Sequence, residues 1–367
     1  MSTKRVGIIG AGQLGRMMAL AGTPLDVEFV FFDEASISPS SRLGEVVNPN
    51  QQDALETFLA KVDVVTYESE NTDTSLVEQI CKRVPVYPGA NSLRFSQHRL
   101  TEKNKFRELG IATADYRKVT SKDELISASN ELGLPIVLKT TTMGYDGKGQ
   151  AVVKTPADID TAWEALQGNE LIAEAFVNFS RELSVIAVRD TQGNTQVYPV
   201  AENDHSEGIL RVSRVPAIQL SAEKEAQAKQ YINLALDSLD HVGVLTLELF
   251  DTDNGLVANE MAPRVHNSGH WSMEGAYCSQ FENHVRAICG MPLGSTEQRQ
   301  SHAAMINIIG KHGDRALVLK SRNAFLHTYG KEERTNRKIG HINIVCDSAE
   351  QLEDEIQSFK SFEHECG

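Results

Sequence analysis

The chain of 367 residues has no apolar run near the ~20 residues needed to cross a bilayer, so no membrane span is expected. It is poor in cysteine: Cys81, Cys278, Cys289, Cys346 and Cys366 are odd in number, widely spaced and free of any CxxC pair. That speaks against a disulfide framework or a cysteine zinc site and for a reducing compartment. Positive charge is also scarce, with 36 Lys+Arg against 50 Asp+Glu leaving a net charge of -14. A non-specific nucleic-acid binder carries the opposite sign. A local anion site is not excluded, because a few cations in a cleft outweigh the sum. Lys4 and Arg5 ahead of residues 6–11 imitate the start of a secretory signal, but the Gly, Gln and Arg that follow break it, with no small-residue cleavage pattern. A soluble cytoplasmic protein is expected, with no partner among nucleic acids or membranes.

What is present is an ordinary globular balance, 41% hydrophobic and 23% charged, in a length that suits two or three domains. Residues 1–95 alternate short apolar strands (6–9, 28–32, 62–67) with helical stretches, which predicts a parallel, doubly wound, Rossmann-like α/β domain. Residues 96–295 change texture, with a basic helix over 99–109 and many hairpin-like strands, and read as α+β with antiparallel sheets. Residues 296–367 form a small C-terminal domain of uneven charge. Between 311 and 340 it holds eight basic residues against Asp314, Glu332 and Glu333.

Four constellations carry chemistry. Gly10-x-Gly12-x-x-Gly15 follows a strand, opens a helix, and has Asp33 at the end of the next strand, the pattern of a dinucleotide fingerprint. The same glycines also serve a plain strand-to-helix turn or another phosphorylated ligand. Next, a strand ending in Lys139 leads to Gly144-Tyr145-Asp146-Gly147-Lys148-Gly149-Gln150. Its amides can surround phosphate oxygens, although a glycine-rich hairpin turn has the same composition. Third, strands over 244–250 and 256–261 flank Asp253-Asn254-Gly255. If these three form the loop, 252 pairs with 256 and Glu248 lies opposite Glu260, with Cβ atoms roughly 5 Å apart. Facing carboxylates call for a cation, and Mg²⁺ suits them; a one-residue slip would instead turn one Glu to solvent. The loop Pro263–Trp271, with His266 and His270, follows directly and suits a site wall. Last, Lys331, Arg337 and Lys338 lie in the basic part of the tail, suited to a phosphate monoester or simply to a solvated loop.

Taken in order, Gly10 to Met17, Tyr67-Glu68-Ser69-Glu70-Asn71, Gly144 to Gln150, Asn259 to Trp271, and Tyr329 to Lys331 followed by Arg337 to His341 resemble the ATP-grasp superfamily. Within it they resemble the N5-carboxyaminoimidazole ribonucleotide synthases over essentially the whole chain. The resemblance implies an ATP-grasp architecture with a pre-ATP-grasp domain and a homodimer. The implied reaction is carboxylation of 5-aminoimidazole ribonucleotide by bicarbonate at the expense of ATP, in purine biosynthesis. It implies ATP contacts by Arg99, Lys139, the loop Gly144, Tyr145, Asp146, Gly147, Lys148, Gly149 and Gln150, the adenine-holding backbone of Glu174, Ala175, Phe176 and Val177, and Glu182, His205 and Asn259. Glu248 and Glu260 would hold Mg²⁺, with Mn²⁺ as an alternative. Gln13, Leu14, Glu70, Tyr145 and Asn267 would surround the ribonucleotide, and Lys331, Arg337 and Lys338 its 5′-phosphate. Asp146, Lys148 and His266 would face the reacting groups. Two departures stand out: Thr142-Met143 occupies a place where the family often has Arg and Gly, and Asn336 one where glycine is common.

Two other functions compete. A formate-dependent glycinamide ribonucleotide transformylase shares the architecture, and an NAD-dependent oxidoreductase would use the glycine turn and Asp33. A non-catalytic nucleotide sensor is a third, disfavoured by the complete set of candidate ligands.

Overall fold

The computed structural model describes residues 3–35, 37–144 and 149–362. The first ninety residues build a parallel sheet in the order Glu45–Val47, Val27–Phe32, Lys4–Ile9, Val64–Tyr67, and Val86 adds a parallel bridge to Val65. The central strands are buried on both faces, which is why they read as unbroken apolar runs. Helix Gln13–Gly22 packs Leu14, Met17 and Met18 into a core shared with Phe281 and Val285 of helix Gln280–Ile288.

A second sheet, wholly antiparallel, runs Tyr116–Val119, Leu171–Ala175, Ile136–Thr140, Gln150–Val153. Helices Lys122–Leu132 and Ile159–Leu166 share its core. Serine side chains at 121, 221, 279 and 348 each accept the backbone N–H three residues on, starting four helices at a gain of about 1 kcal/mol apiece.

The third sheet is the largest. Its order is Gly255–Ala262, Gly243–Thr252, Arg181–Arg189, Ala201–Ser206, Ile209–Val215, His302–Ile309, Lys338–Cys346, Ala324–Thr328, with Thr195–Val197 beside Arg181–Arg189. Ile209–Val215 and His302–Ile309 are hydrogen-bonded neighbours, so the residues after 296 extend the central sheet. Flat, the five strand steps from Gly243–Thr252 to Lys338–Cys346 would span about 24 Å. Glu248 and Lys338 nevertheless line one cavity, so the sheet curls around it.

The hairpin carrying the two glutamates differs from expectation in its loop. Thr252 pairs with Gly255, leaving Asp253 and Asn254 as a two-residue loop, with Gly255 at φ +112°. The Thr252 hydroxyl donates to the Gly255 carbonyl at 2.7 Å and tightens the turn. That register holds down to Leu249 opposite Ala258. Asn259 then bulges as the unpaired residue, the register moves by one, and Glu248 faces Glu260 after all. Two strands missed in the sequence, Ala201–Ser206 and Ile209–Val215, follow the expected strand over 195–200, which ends early at Val197.

Candidate active site

The facing carboxylates sit at the junction of two clefts, and both glutamates line both. Burial, and then the neighbouring Glu260, pushes Glu248 up to about 7. Arg99 opens helix Arg99–Glu108 and donates to Glu260 Oε2 at 2.8 Å. One turn on, Glu102 is fully buried, accepts the Met261 N–H at 2.7 Å, and is pushed up to about 8 by burial and by Glu260. Lys103, buried beside it, donates to the carbonyl of the bulged Asn259 at 2.8 Å. Arg99, Glu102, Lys103 and Phe106 fall at helical spacing, so this helix turns a charged face inward; the absence of an apolar stripe was the available signal for Glu102 and Lys103.

The first cleft, about 390 Å³, is lined by Arg99, Lys139, Gln150, Phe176, Glu182, His205, Asn259 and the two glutamates. Val137, Val152, Phe176, Phe179 and Phe250 give it an apolar wall, with Phe179 and Phe250 stacked at 4.5 Å. Lys139 donates to Glu174 Oε2 at 3.0 Å. Burial alone would raise Glu174, but Lys103, Lys139 and Arg99 outweigh it and hold the carboxyl at about 2. The Glu174 side chain is thus committed to lysines, and its strand pairs on both sides with Tyr116 and Val137. Ala175 and Phe176 donate their N–H groups to Asp115 and Pro135 carbonyls. His205 stands 3.2 Å from Glu182; burial opposes its charge, but Glu182 and Glu248 raise it. Gly149 accepts from Thr140 N–H at the loop end of the hairpin.

The second cavity, about 430 Å³, is lined by Gln13, Leu14, Glu70, Gly144, His266, Asn267, Lys338 and the glutamates, with Arg264 and Tyr329. Arg264, not assigned from sequence, pairs with Glu70; its charge overcomes the burial that would raise Glu70 and holds it at about 2. Asn267 and Asn307 exchange amide hydrogen bonds at 3.0 and 2.7 Å. Lys331 donates to the Gln13 side-chain oxygen. Burial, then Arg337 and Lys338, push Lys331 down to about 8. Of these three basic residues only Lys338 lines the cavity; Arg337 donates to the Glu332 carbonyl at 3.4 Å. His266 Nε2 lies 3.2 Å from Glu248 Oε1, and burial with Arg264 and Lys338 pushes the ring down to about 3, leaving it neutral. Tyr145, Asp146, Gly147 and Lys148 lie outside the described residues.

The glycine turn is already filled. Glu68 accepts Gly12 N–H at 2.6 Å and Gly15 N–H at 2.8 Å, and Asp33 accepts Ala11 N–H at 2.9 Å. A carboxylate of the chain itself thus occupies the helix N-terminus where a pyrophosphate would sit. A Cβ on Gly10 or Gly12 would come within 2.5 Å of Glu68, so the close approach those glycines allow is to this side chain. The NAD-dependent oxidoreductase fails on this point.

Family models match the chain in three consecutive stretches: a ribonucleotide synthetase preATP-grasp domain over 3–97, an ATP-grasp domain over 104–281, and a phosphoribosylaminoimidazole carboxylase C-terminal domain over 303–355. Fold and site together define an ATP-grasp enzyme, an ATP-dependent carbon–nitrogen ligase. The N5-carboxyaminoimidazole ribonucleotide synthase of Pseudomonas aeruginosa is 45% identical over 354 residues, covering 96% of this chain and 97% of the relative. The Thermus thermophilus synthetase structure superposes with a TM-score of 0.92 at 43% identity, covering 97% and 98% of the two chains. An Aspergillus clavatus structure in complex with ADP and 5-aminoimidazole ribonucleotide gives 0.91 at 31%, covering 98% of each. The chain belongs to the N5-carboxyaminoimidazole ribonucleotide synthase family.

Proposed function

We propose that the two clefts divide the reaction: ATP in the cleft of Lys139 and Phe179, 5-aminoimidazole ribonucleotide in the cavity of Gln13 and Lys338, and bicarbonate where they meet. The observation that carries this reading is the pair Glu248 and Glu260, which line both clefts at once. On this reading residues 1–95, 96–295 and 296–367 act as pre-ATP-grasp, ATP-grasp and substrate-phosphate units of a cytoplasmic homodimer.

The facing carboxylates fit a hard divalent cation. Both offer only oxygen, burial and mutual repulsion raise Glu248, and the bulge at Asn259 leaves a buried amide oxygen with no partner among the described residues. Mg²⁺, or Mn²⁺, held there would neutralise charge on the transferring phosphoryl group. Lys139 and Arg99 orient the ATP phosphates, while Phe176, Phe179 and Phe250 enclose the base, with the backbone at Glu174 to Val177 beside it. Glu182 and His205 meet the ribose. Phosphoryl transfer from ATP to bicarbonate gives ADP and carboxyphosphate, a mixed anhydride reactive enough for a weak amine. The amine nitrogen bonds to the carboxyl carbon, phosphate leaves, and one N–H proton is lost to give the carbamate. Lys331, Arg337 and Lys338 hold the 5′-phosphate; Gln13, Leu14, Glu70 and Asn267 position the rest of the ribonucleotide, and His266 lies where the carboxyl group passes. The resemblance adds Tyr145, Asp146 and Lys148 as a cover over the reacting groups that excludes water.

ADP release from MgATP tests the reading. Stimulation by 5-aminoimidazole ribonucleotide that also requires bicarbonate is expected. Stimulation only by glycinamide ribonucleotide with formate would move the chain to the transformylase chemistry.

A further inference from the structure

The nine-stranded sheet carries a row of buried polar residues that the reaction above does not use. Ser184 is the register partner of Glu248, and Asn203 is the partner of Ser213. Ser184, Asn203 and Ser213 are 1%, 5% and 0% exposed and lie beneath the loop that bears His266. Their hydrogen bonds run in series. The Ser213 hydroxyl donates to Asn203 Oδ1 at 2.7 Å, Asn203 Nδ2 donates to Ser184 Oγ at 3.1 Å, and Ser184 donates to Ser268 Oγ at 2.8 Å. Ser268 Oγ in turn is 2.9 Å from His266 Nδ1.

Each serine has one proton to give, so the series has a direction. Ser184 accepts from Asn203 and passes its own proton to Ser268, which leaves the Ser268 proton for His266 Nδ1. The Ser268 backbone N–H, which can only donate, also points at Nδ1, at 3.3 Å. At 3.3 Å this contact is longer than the hydroxyl's 2.9 Å, so the hydroxyl series is the stronger of two inputs that make Nδ1 an acceptor. A neutral ring whose Nδ1 accepts carries its one proton on Nε2, 3.2 Å from Glu248 Oε1. The backbone of His266 is fixed separately: Gln280 accepts its N–H at 2.9 Å and donates to its carbonyl at 2.6 Å. The main chain and the ring therefore have different holders.

We propose that Ser213, Asn203, Ser184 and Ser268 are positioning residues, a one-way hydrogen-bond chain that locks His266 in the Nε2–H tautomer and presents that N–H to Glu248. This rests on the proposed roles of His266 and Glu248. Partners of this kind, acting through a ligand or catalytic group, are commonly worth 10–100-fold.

The direct test reads the unaltered chain: ¹⁵N-histidine labelling of the metal-free, nucleotide-free protein and long-range ¹⁵N–¹H correlation, with His266→Asn used only to assign the peaks. The expected result is protonated Nε2 and unprotonated Nδ1 at His266. Ser184→Ala breaks the series two links from the ring; a mixed tautomer is expected, with kcat down about tenfold and KM for ATP and for 5-aminoimidazole ribonucleotide within about twofold. Ser184→Thr, which keeps the hydroxyl, should restore both. An Nδ1–H ring in the unaltered protein overturns the proposal, as does Ser184→Ala with either the tautomer or kcat unchanged. The tautomer is read without turnover, so its failure is distinct from absence of ADP release in the carboxylation assay.

Discussion

The two clefts handle positive charge differently. On the proposed nucleotide side Lys139 rests on Glu174 at 3.0 Å and Arg99 on Glu260 at 2.8 Å. On the proposed substrate side Arg264 is likewise paired, with Glu70, but Lys331 rests on a neutral amide oxygen and is crowded by Arg337 and Lys338. On the proposed reading an arriving 5′-phosphate would relieve repulsion there, whereas a polyphosphate entering the first cleft would have to compete with glutamates for its lysine and arginine. That contrast is what a divalent cation at the glutamate pair would offset on the first side.

The strongest way to break this contrast is Glu260→Gln, which removes one facing carboxylate and frees Arg99. ADP formation should fall by at least about 10²-fold, since Glu260 would be a direct ligand and even outer partners of a metal site are worth about 10–100-fold, while KM for 5-aminoimidazole ribonucleotide stays within about twofold. Equal loss on both sides would show that the clefts are not separable. Next in size, Lys331→Met should raise KM for the ribonucleotide about 10–100-fold, the worth of a charge-assisted hydrogen bond of about 1.5–3 kcal/mol, and leave KM for ATP alone. A third expectation concerns pH. Lys331, lowered to about 8 by burial and by Arg337 and Lys338, loses its charge as pH rises through that value. KM for the ribonucleotide should climb above pH 8 by up to about tenfold per unit, a rise that Lys331→Met abolishes. A steady-state pH profile of the two proteins checks it. The smallest effect is on the apolar wall: Phe179→Ala removes a stacked ring worth about 0.5–1.5 kcal/mol, so KM for ATP should rise roughly 2–10-fold with the ribonucleotide unaffected.

Much of this was legible in the sequence because it depends on local pattern. Glu248 and Glu260 were paired by counting through a hairpin, and the pairing holds although the loop is one residue shorter than counted. The bulge at Asn259 restores the register; its one mark is that buried positions step by three from Ala258 to Met261, in a strand too short for that step to be read as a bulge. Met143 and Asn336, noted where glycine is common, stand at φ +61° and +59°, the left-handed region that favours glycine. What stayed hidden depends on distant chain segments. Glu68 reads as one acid among several in Tyr67 to Asn71 until the sheet places it under the glycine turn. Ser184, Asn203 and Ser213 look like the solvent face of three strands until residues 263–271 cover them. Arg264 is visible in its motif, but its partner Glu70 is 194 positions away.

The curled sheet has a consequence for which substrates fit. The strands that bear Glu248 and Lys338 are tied to each other through a ladder of backbone hydrogen bonds, so the gap between the carboxylate pair and the phosphate cluster is set by strand count and curvature. Side-chain substitution can soften either jaw of this caliper without opening it. With the substrate placed as proposed, a nucleoside lacking the phosphate would not reach the far jaw and a longer phosphate ester would overshoot it. Molecular length would then be checked by the main chain rather than by any one side chain.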